Sequence, residues 1–172
     1  TLPQQRAYLQ NPHMHFAEAC HAAFEATGDQ RFLDQAEELV TLLRRRFFDG
    51  RTLGEYFSLD WTREQSELGR TLIPGHHFEW AWILSTHQRL TGVDLNHEIE
   101  AIASFAEAYG VDPKTQVVFD GILSDGAVVA ESSRAWPNTE RIKAWVALSR
   151  RADLQPIKRI NGTLEPIFGR YF

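Results

Sequence analysis

The sequence predicts an all-α protein built from repeated helical hairpins, with short β-hairpin excursions at one end of the stack. Three observations carry this prediction. Apolar residues recur at helical spacing in two long segments, each of these helices follows another across a tight glycine-containing connection, and the pairs repeat at a fixed interval. From Asp29 to Phe47, the residues Phe32, Leu33, Ala36, Leu39, Val40, Leu43 and Phe47 fall three and four apart, forming one stripe of an amphipathic helix. Leu95, Ile99, Ile102, Ala103 and Ala106 repeat the pattern. Helices over His15–Thr27 and His76–Thr91 precede them, through Thr27-Gly28-Asp29 and Thr91-Gly92-Val93-Asp94. Glycine ends a helix in the left-handed conformation and aspartate caps the next, so both connections read as tight helical hairpins.

The segments MHFAEA, GHHFEW and WPNTER place Glu18, Glu79 and Glu140 in register, 61 residues apart each time. A period of that length marks a repeat architecture in which each unit buries its face against its neighbours. Residues 1–172 therefore read as a single partial domain of three helical-hairpin repeats. Between the hairpins lie Phe47–Trp61, with EYFSLDW, and Thr115–Glu131, where Ser124-Asp125-Gly126 joins two short β-capable runs. Beyond Asp153 the chain reads as broken, interrupted by Pro156, Gly162, Pro166 and Gly169.

Composition narrows the function. A hydrophobic content of 43% and a charged content of 24% in 172 residues fit one globular domain. The net charge of -5 lacks the basic field that nucleic acid or an anionic membrane requires, so neither is expected as a partner. The single cysteine, Cys20, allows no internal disulfide and fits a reducing, cytoplasmic setting. No apolar run approaches the ~20 residues of a membrane span, and the opening TLPQQRAYLQ has no signal-peptide character.

The polar residues that stand out lie at helix starts. In NPHMHFAEA, Asn11 can cap a helix whose first turn admits Pro12, and His15 lies three residues before Glu18 on one face. In PGHHFEW, Pro74 and Gly75 stand ahead of the helix and His76 lies three before Glu79. The positive end of the macrodipole favours the neutral imidazole that a general base needs, and Glu79 can orient that ring or bind a substrate hydroxyl. In the third unit Pro137 stands where the histidine would be, and Glu140 is either a backbone-bonded buried glutamate or a substrate contact. Trp80, Trp82 and Trp145 read as core, whereas Trp136 beside Pro137 is a candidate platform for a sugar ring. His13, His21, His77, His87 and His97 read singly as capping or solvated groups. His13, His15, His76 and His77 with Glu18 and Glu79 could in principle gather around zinc or manganese, but HExxH and cysteine-rich spacings are both missing. No metal or cofactor is expected. Phosphate has no glycine-rich loop or lysine cluster to bind, only scattered arginines such as Arg70 and Arg134.

NPHMHFAEA, PGHHFEWAW and RAWPNTERIKAW, in this order and spacing, resemble the N-acylglucosamine 2-epimerase superfamily, and PGHHFEW resembles its mannose isomerase branch. The resemblance implies part of an (α/α)6 barrel with its active site at one rim, and metal-free isomerisation of a mannose-like sugar to the ketose. Epimerisation at C2 of N-acylglucosamine or cellobiose is the enzymatic alternative, and a non-catalytic sugar- or protein-binding repeat is the other. The resemblance makes His76 an acid/base residue supported by Glu79, puts Asn11 and His15 at the sugar site and makes Trp136 its platform. Six units of 61 residues come to 366, about twice this length, and no histidine follows Glu140 to serve as a second acid/base group. The expectation is the middle of a longer protein, with a homo-oligomer that completes a ring as the alternative.

Overall fold

The computed structural model describes residues 8–171, the Leu68 side chain excepted, and shows a row of three helical hairpins. Strand β1 (Tyr8–Leu9) leads into α1 (Gln10–Thr27), which turns back as α2 (Gln30–Leu42). The connection is the expected one: Gly28 sits at φ 70°, its N–H bonds the Phe24 carbonyl, and the Asp29 carboxylate accepts from the Arg31 N–H at 3.0 Å. The second hairpin, α4 (Pro74–Thr91) and α5 (Asn96–Tyr109), repeats the device, with Gly92 at φ 79° and Asp94 accepting from the Asn96 N–H.

The helix begun by α2 ends in a π-helical turn, Leu43–Phe47, rather than continuing as α. Leu39, Leu43 and Phe47 are spaced by four, and each such step drifts about 40° around an α-helix. The wider turn brings Leu43 and Phe47 back to the core, where both are buried.

Between the hairpins the chain makes small sheets at the end where α4 starts. Strand β2 (Tyr56–Phe57) pairs antiparallel with β1 at the start of the described chain, and the same segment carries local antiparallel bridges, Phe48 with Leu53 and Phe57 with Arg63. After the short helix α3 (Glu67–Arg70), strand β3 (Thr71–Leu72) joins β4 (Gly121–Leu123), which joins β5 (Val128–Ala130) across the expected turn. In that turn the Leu123 N–H bonds the Ala127 carbonyl and Gly126 stands at φ 92°.

The third hairpin joins α6 (Ala135–Ala147), through a 3-10 turn at Ala152–Leu154, to α7 (Pro156–Tyr171). Here the reading of a broken terminus is corrected: α7 is one helix of 16 residues with Pro166 inside it. Pro156 falls in the first turn, where its missing N–H costs nothing. Pro166 forgoes a bond to residue 162, a glycine with no side chain to crowd the bend, and packing of Thr163 and Ile167 on the core side outweighs the loss. Tyr171 ties the far end down, its hydroxyl donating to the Ser133 carbonyl at 2.9 Å.

Helix α4 is the centre of the molecule, packed against α1, α5 and α6. It buries Trp80, Phe78, Ile83 and Leu84, and Trp145 of α6 joins them, whereas Trp82 is only partly buried. Burial on several sides explains why PGHHFEWAWIL shows little amphipathic period. Helices α1, α4 and α6 all present their N-terminal ends to the same rim, and the polar residues of the three sequence motifs gather there.

Candidate functional site

A pocket of about 440 Å³ opens at this rim. Asn11, His15, His76, Glu79, Trp136 and Glu140 all line it, with Ile73 and Arg134 completing its wall. The volume lies within the range of small-molecule sites.

Helix α1 contributes Asn11 and His15. Asn11 does not cap this helix: α1 starts at Gln10 and Leu9 holds the cap position without a side-chain bond. Asn11 instead lies in the first turn, its amide nitrogen 3.3 Å from His76 Nε2. His15 is one turn further in and exposed, its Nδ1 3.3 Å from Glu79 Oε1 and 4.0 Å from Glu18 Oε2.

Helix α4 contributes His76 and Glu79, and it begins two residues earlier than expected. Pro74 is its first residue, so Gly75 and His76 belong to the first turn. Gly75 carries a packing consequence: a Cβ there would come within 2.6 Å of the Trp136 indole. Its absence lets Trp136, half-buried, lie with its ring centroid 5.4 Å from that of His76. The Arg134 guanidinium sits 5.3 Å from the same indole and bonds Asp120 at 2.9 Å.

Two residues that the sequence reading did not single out surround His76. Glu55, from the segment ahead of β2, places Oε2 2.9 Å from His76 Nδ1, and Gln10 places its amide nitrogen 2.9 Å from the same ring atom. Glu55 is buried, and its other oxygen accepts from the Ile73 N–H at 3.3 Å. A glutamate set between Leu53 and the apolar Tyr56-Phe57 was the available signal, since a charge in such a run needs a partner. Glu79 was expected to orient an imidazole, and the ring it touches is that of His15.

The charges here differ from the helix-dipole expectation. Burial disfavours the charged imidazole of His76, but the Glu55 carboxylate outweighs it by charge and hydrogen bond, with Glu79 adding to it. The ring is pushed above the ordinary histidine value rather than below it. Glu79 moves the other way for a carboxylate meant to be ionised. Burial first, then the Glu140 and Glu18 charges, push it up to about 7 against the opposing pull of His76 and Lys143. Lys143 bonds Glu140 at 2.7 Å and reaches Glu18 at 3.5 Å, so Glu140 is ion-paired rather than bonded to backbone. His15, Glu18 and Glu79 bring ligand atoms within 4.8 Å of one another, a spacing that a divalent cation could occupy in competition with the Lys143 ammonium.

Three other histidines are buried structural groups, not solvated ones. His77 accepts from the Leu53 N–H at 3.1 Å and donates to the Ile73 carbonyl, and burial lowers it to about 4. His21 Nε2 lies 3.0 Å from His87 Nδ1, whose other nitrogen meets Glu37 at 2.8 Å; burial, then His87, lowers His21 to about 4. His13 donates to the Leu9 carbonyl, and His97 is exposed beside Phe48.

Comparison with known proteins agrees with this architecture. Residues 2–172 match the N-acylglucosamine 2-epimerase (GlcNAc 2-epimerase) family. A protein from Rhizobium meliloti (strain 1021) named mannose-6-phosphate isomerase is 36% identical over 139 residues, covering 78% of this chain and 36% of that protein. A crystal structure of D-mannose isomerase superposes with a TM-score of 0.83 at 22% identity, over 94% of this chain and 45% of the other. Cellobiose 2-epimerase from Bacillus thermoamylovorans B4167 gives 0.81 at 19% identity, over 96% and 43%. At these identities the two structures speak to the fold: helical-hairpin repeats that form part of an (α/α)6 barrel. The chain spans less than half the length of each of these three proteins.

Proposed function

Since the chain belongs to the N-acylglucosamine 2-epimerase family, we propose that it carries part of the active site of a sugar isomerase. The reaction is conversion of a mannose-like aldose to its ketose. The observation that carries this reading is the setting of His76: one ring nitrogen on a buried carboxylate, the other beside Asn11 at the wall of a polar pocket.

In this reading His76 Nε2 takes the proton from C2 of the open-chain sugar, whose acidity comes from the neighbouring C1 carbonyl. Electrons of the C–H bond form the C1–C2 double bond and the carbonyl oxygen gains a proton, giving a cis-enediol. Asn11 donates to the oxygen on which charge develops, and return of the proton from His76 to C1, with loss of the C2 hydroxyl proton to Glu79, gives the ketose. Glu79, with His15, exchanges protons with sugar hydroxyls, a task suited to a carboxyl that titrates near neutrality. Trp136 offers an aromatic wall, and Glu140 with Lys143 binds hydroxyls at the pocket edge.

A neutral sugar suits the pocket better than a phosphorylated one. Arg134 is already engaged by Asp120, Lys143 by Glu140, and Glu18, Glu79 and Glu140 would oppose a phosphate dianion. One observation favours C2 epimerisation of N-acylglucosamine or cellobiose as a second reading: Glu79 and His76 are two acid/base groups on one pocket, and epimerisation needs one on each face of C2. A cytoplasmic setting completes the proposal; among the described residues no helix is long and apolar enough to cross a membrane.

The test is proton NMR of D-mannose and of mannose 6-phosphate with the protein in deuterated water, with and without chelator. Chelator-insensitive deuterium entry with fructose as product is expected from D-mannose, and the C2 epimer as product would favour the second reading. Binding of mannose without exchange by the full-length parent would overturn the enzymatic proposal in favour of a sugar-binding repeat.

A further inference from the structure

We propose that Gln10, Glu55 and Trp80 are positioning residues that hold His76 in a single tautomer, with its proton on Nδ1 and its lone pair on Nε2 turned to the substrate. This rests on the reading above for its consequence in turnover, but the tautomer itself follows from hydrogen-bond bookkeeping.

The chain of constraint starts at Trp80, whose indole N–H can only donate. It donates to Gln10 Oε1 at 2.5 Å, and this identifies which end of the amide is oxygen. The Gln10 NH₂ must then point the other way, 2.9 Å from Glu55 Oε2 and 2.9 Å from His76 Nδ1. For the neutral ring two arrangements remain. If Nδ1 were unprotonated it would accept from Gln10, but its lone pair would face a carboxylate oxygen at 2.9 Å, and Nε2–H would face the NH₂ of Asn11. If Nδ1 carries the proton, it donates to the Glu55 carboxylate, Gln10 donates to the same oxygen, and Nε2 is free to accept from Asn11. The second arrangement satisfies every group and uses a charge-assisted bond, about twice as strong as a neutral one. Glu55 in turn is held at Oε1 by the Ile73 N–H. Both of its oxygens are therefore bonded within the interior, as a buried carboxylate requires.

The three residues come from separate parts of the fold. Gln10 opens α1, Glu55 precedes β2, and Trp80 stands one turn below His76 on the same face of α4. None of the three lines the pocket, so their effect on turnover would run through the ring. The charged and titratable groups that face His76 are Glu55, Glu79 on its own helix, Arg134 ahead of α6, and the neighbouring His77, with His15 of α1 engaged by Glu79.

The experiment is two-bond proton–nitrogen NMR of the protein labelled at histidine nitrogen, across pH, in wild type, Glu55→Gln and Trp80→Phe. The expected wild-type signature is an Nδ1-protonated ring that titrates above ordinary histidine. Glu55→Gln should lower the His76 titration, move the acid limb of kcat/KM to lower pH and reduce kcat by about 10- to 100-fold with KM little changed. Trp80→Phe keeps an aromatic ring in the core, removes the indole N–H and releases the amide of Gln10, so it should yield a mixed tautomer even if Glu55→Gln fails to fold. An Nε2-protonated His76 in wild type, or tautomer and titration unchanged in both variants, overturns the proposal. The stated tautomer in a protein that exchanges no sugar proton would uphold the positioning and sink the isomerase reading instead.

Discussion

Replacing Glu79 by glutamine should make the protein more stable at pH 8 and leave it almost unchanged at pH 5. In the folded protein this carboxyl is pushed from an ordinary 4.5 up to about 7, by burial first and then by Glu140 and Glu18. The native state therefore keeps a proton that the unfolded chain releases near 4.5. Native protein binds more protons than unfolded protein across that window, so the stability associated with Glu79 is complete below 4.5 and is lost as pH rises through 7. At ~1.4 kcal/mol per pH unit, the span from 4.5 to about 7 gives an upper bound of about 3.5 kcal/mol. The pocket mouth admits solvent, and screening reduces this to roughly 1–2 kcal/mol. Glutamine keeps the shape of the side chain and its contact with His15 and removes the charge. Urea unfolding followed by tryptophan fluorescence at pH 5 and 8 measures the difference, with contributions from other titrating groups largely cancelling between wild type and variant. An equal difference at the two pH values would refute the assignment of a raised Glu79.

Further outcomes follow from the same geometry. His76→Asn retains a donor near Nδ1 for Glu55 and removes Nε2, so turnover should fall by about 10²–10⁴ in the NMR exchange assay while circular dichroism stays native. Gly75→Ala would drive a Cβ to 2.6 Å from the Trp136 ring; displacement of the indole should raise KM and cost about 1–3 kcal/mol in thermal unfolding. His77→Leu leaves the Leu53 N–H without its partner, while the Ile73 carbonyl keeps its backbone donor at His76, and should destabilise by about 1–3 kcal/mol in urea. His21, lowered to about 4 chiefly by burial, favours the unprotonated native state; its share of stability is present above pH 6.5 and lost as pH falls toward 4, and His21→Gln should flatten that part of a melting-temperature profile.

The sequence by itself determined the helical hairpins and the place where chemistry would gather. Those features are local: a left-handed glycine at Gly28 or Gly92, an aspartate two residues before the N–H it caps, and a sequence register that places Glu18, Glu79 and Glu140 near the starts of the first helices of the three hairpins. Tertiary structure decided what the gathered residues do to one another. Glu55 is 21 residues from His76 in sequence and Gln10 is 66, so neither spacing nor helical face could connect them. The same holds for Lys143, which lies 125 residues from Glu18. Burial and Coulomb interactions depend on separations in space, and only the packed arrangement sets these. That is why Glu79 pairs with His15 rather than His76, why the imidazole of His76 is pushed up rather than down, and why α7 runs through Pro166. A propensity for breaking a helix acts on one residue, and the packing of the others on a hairpin already formed outweighs it.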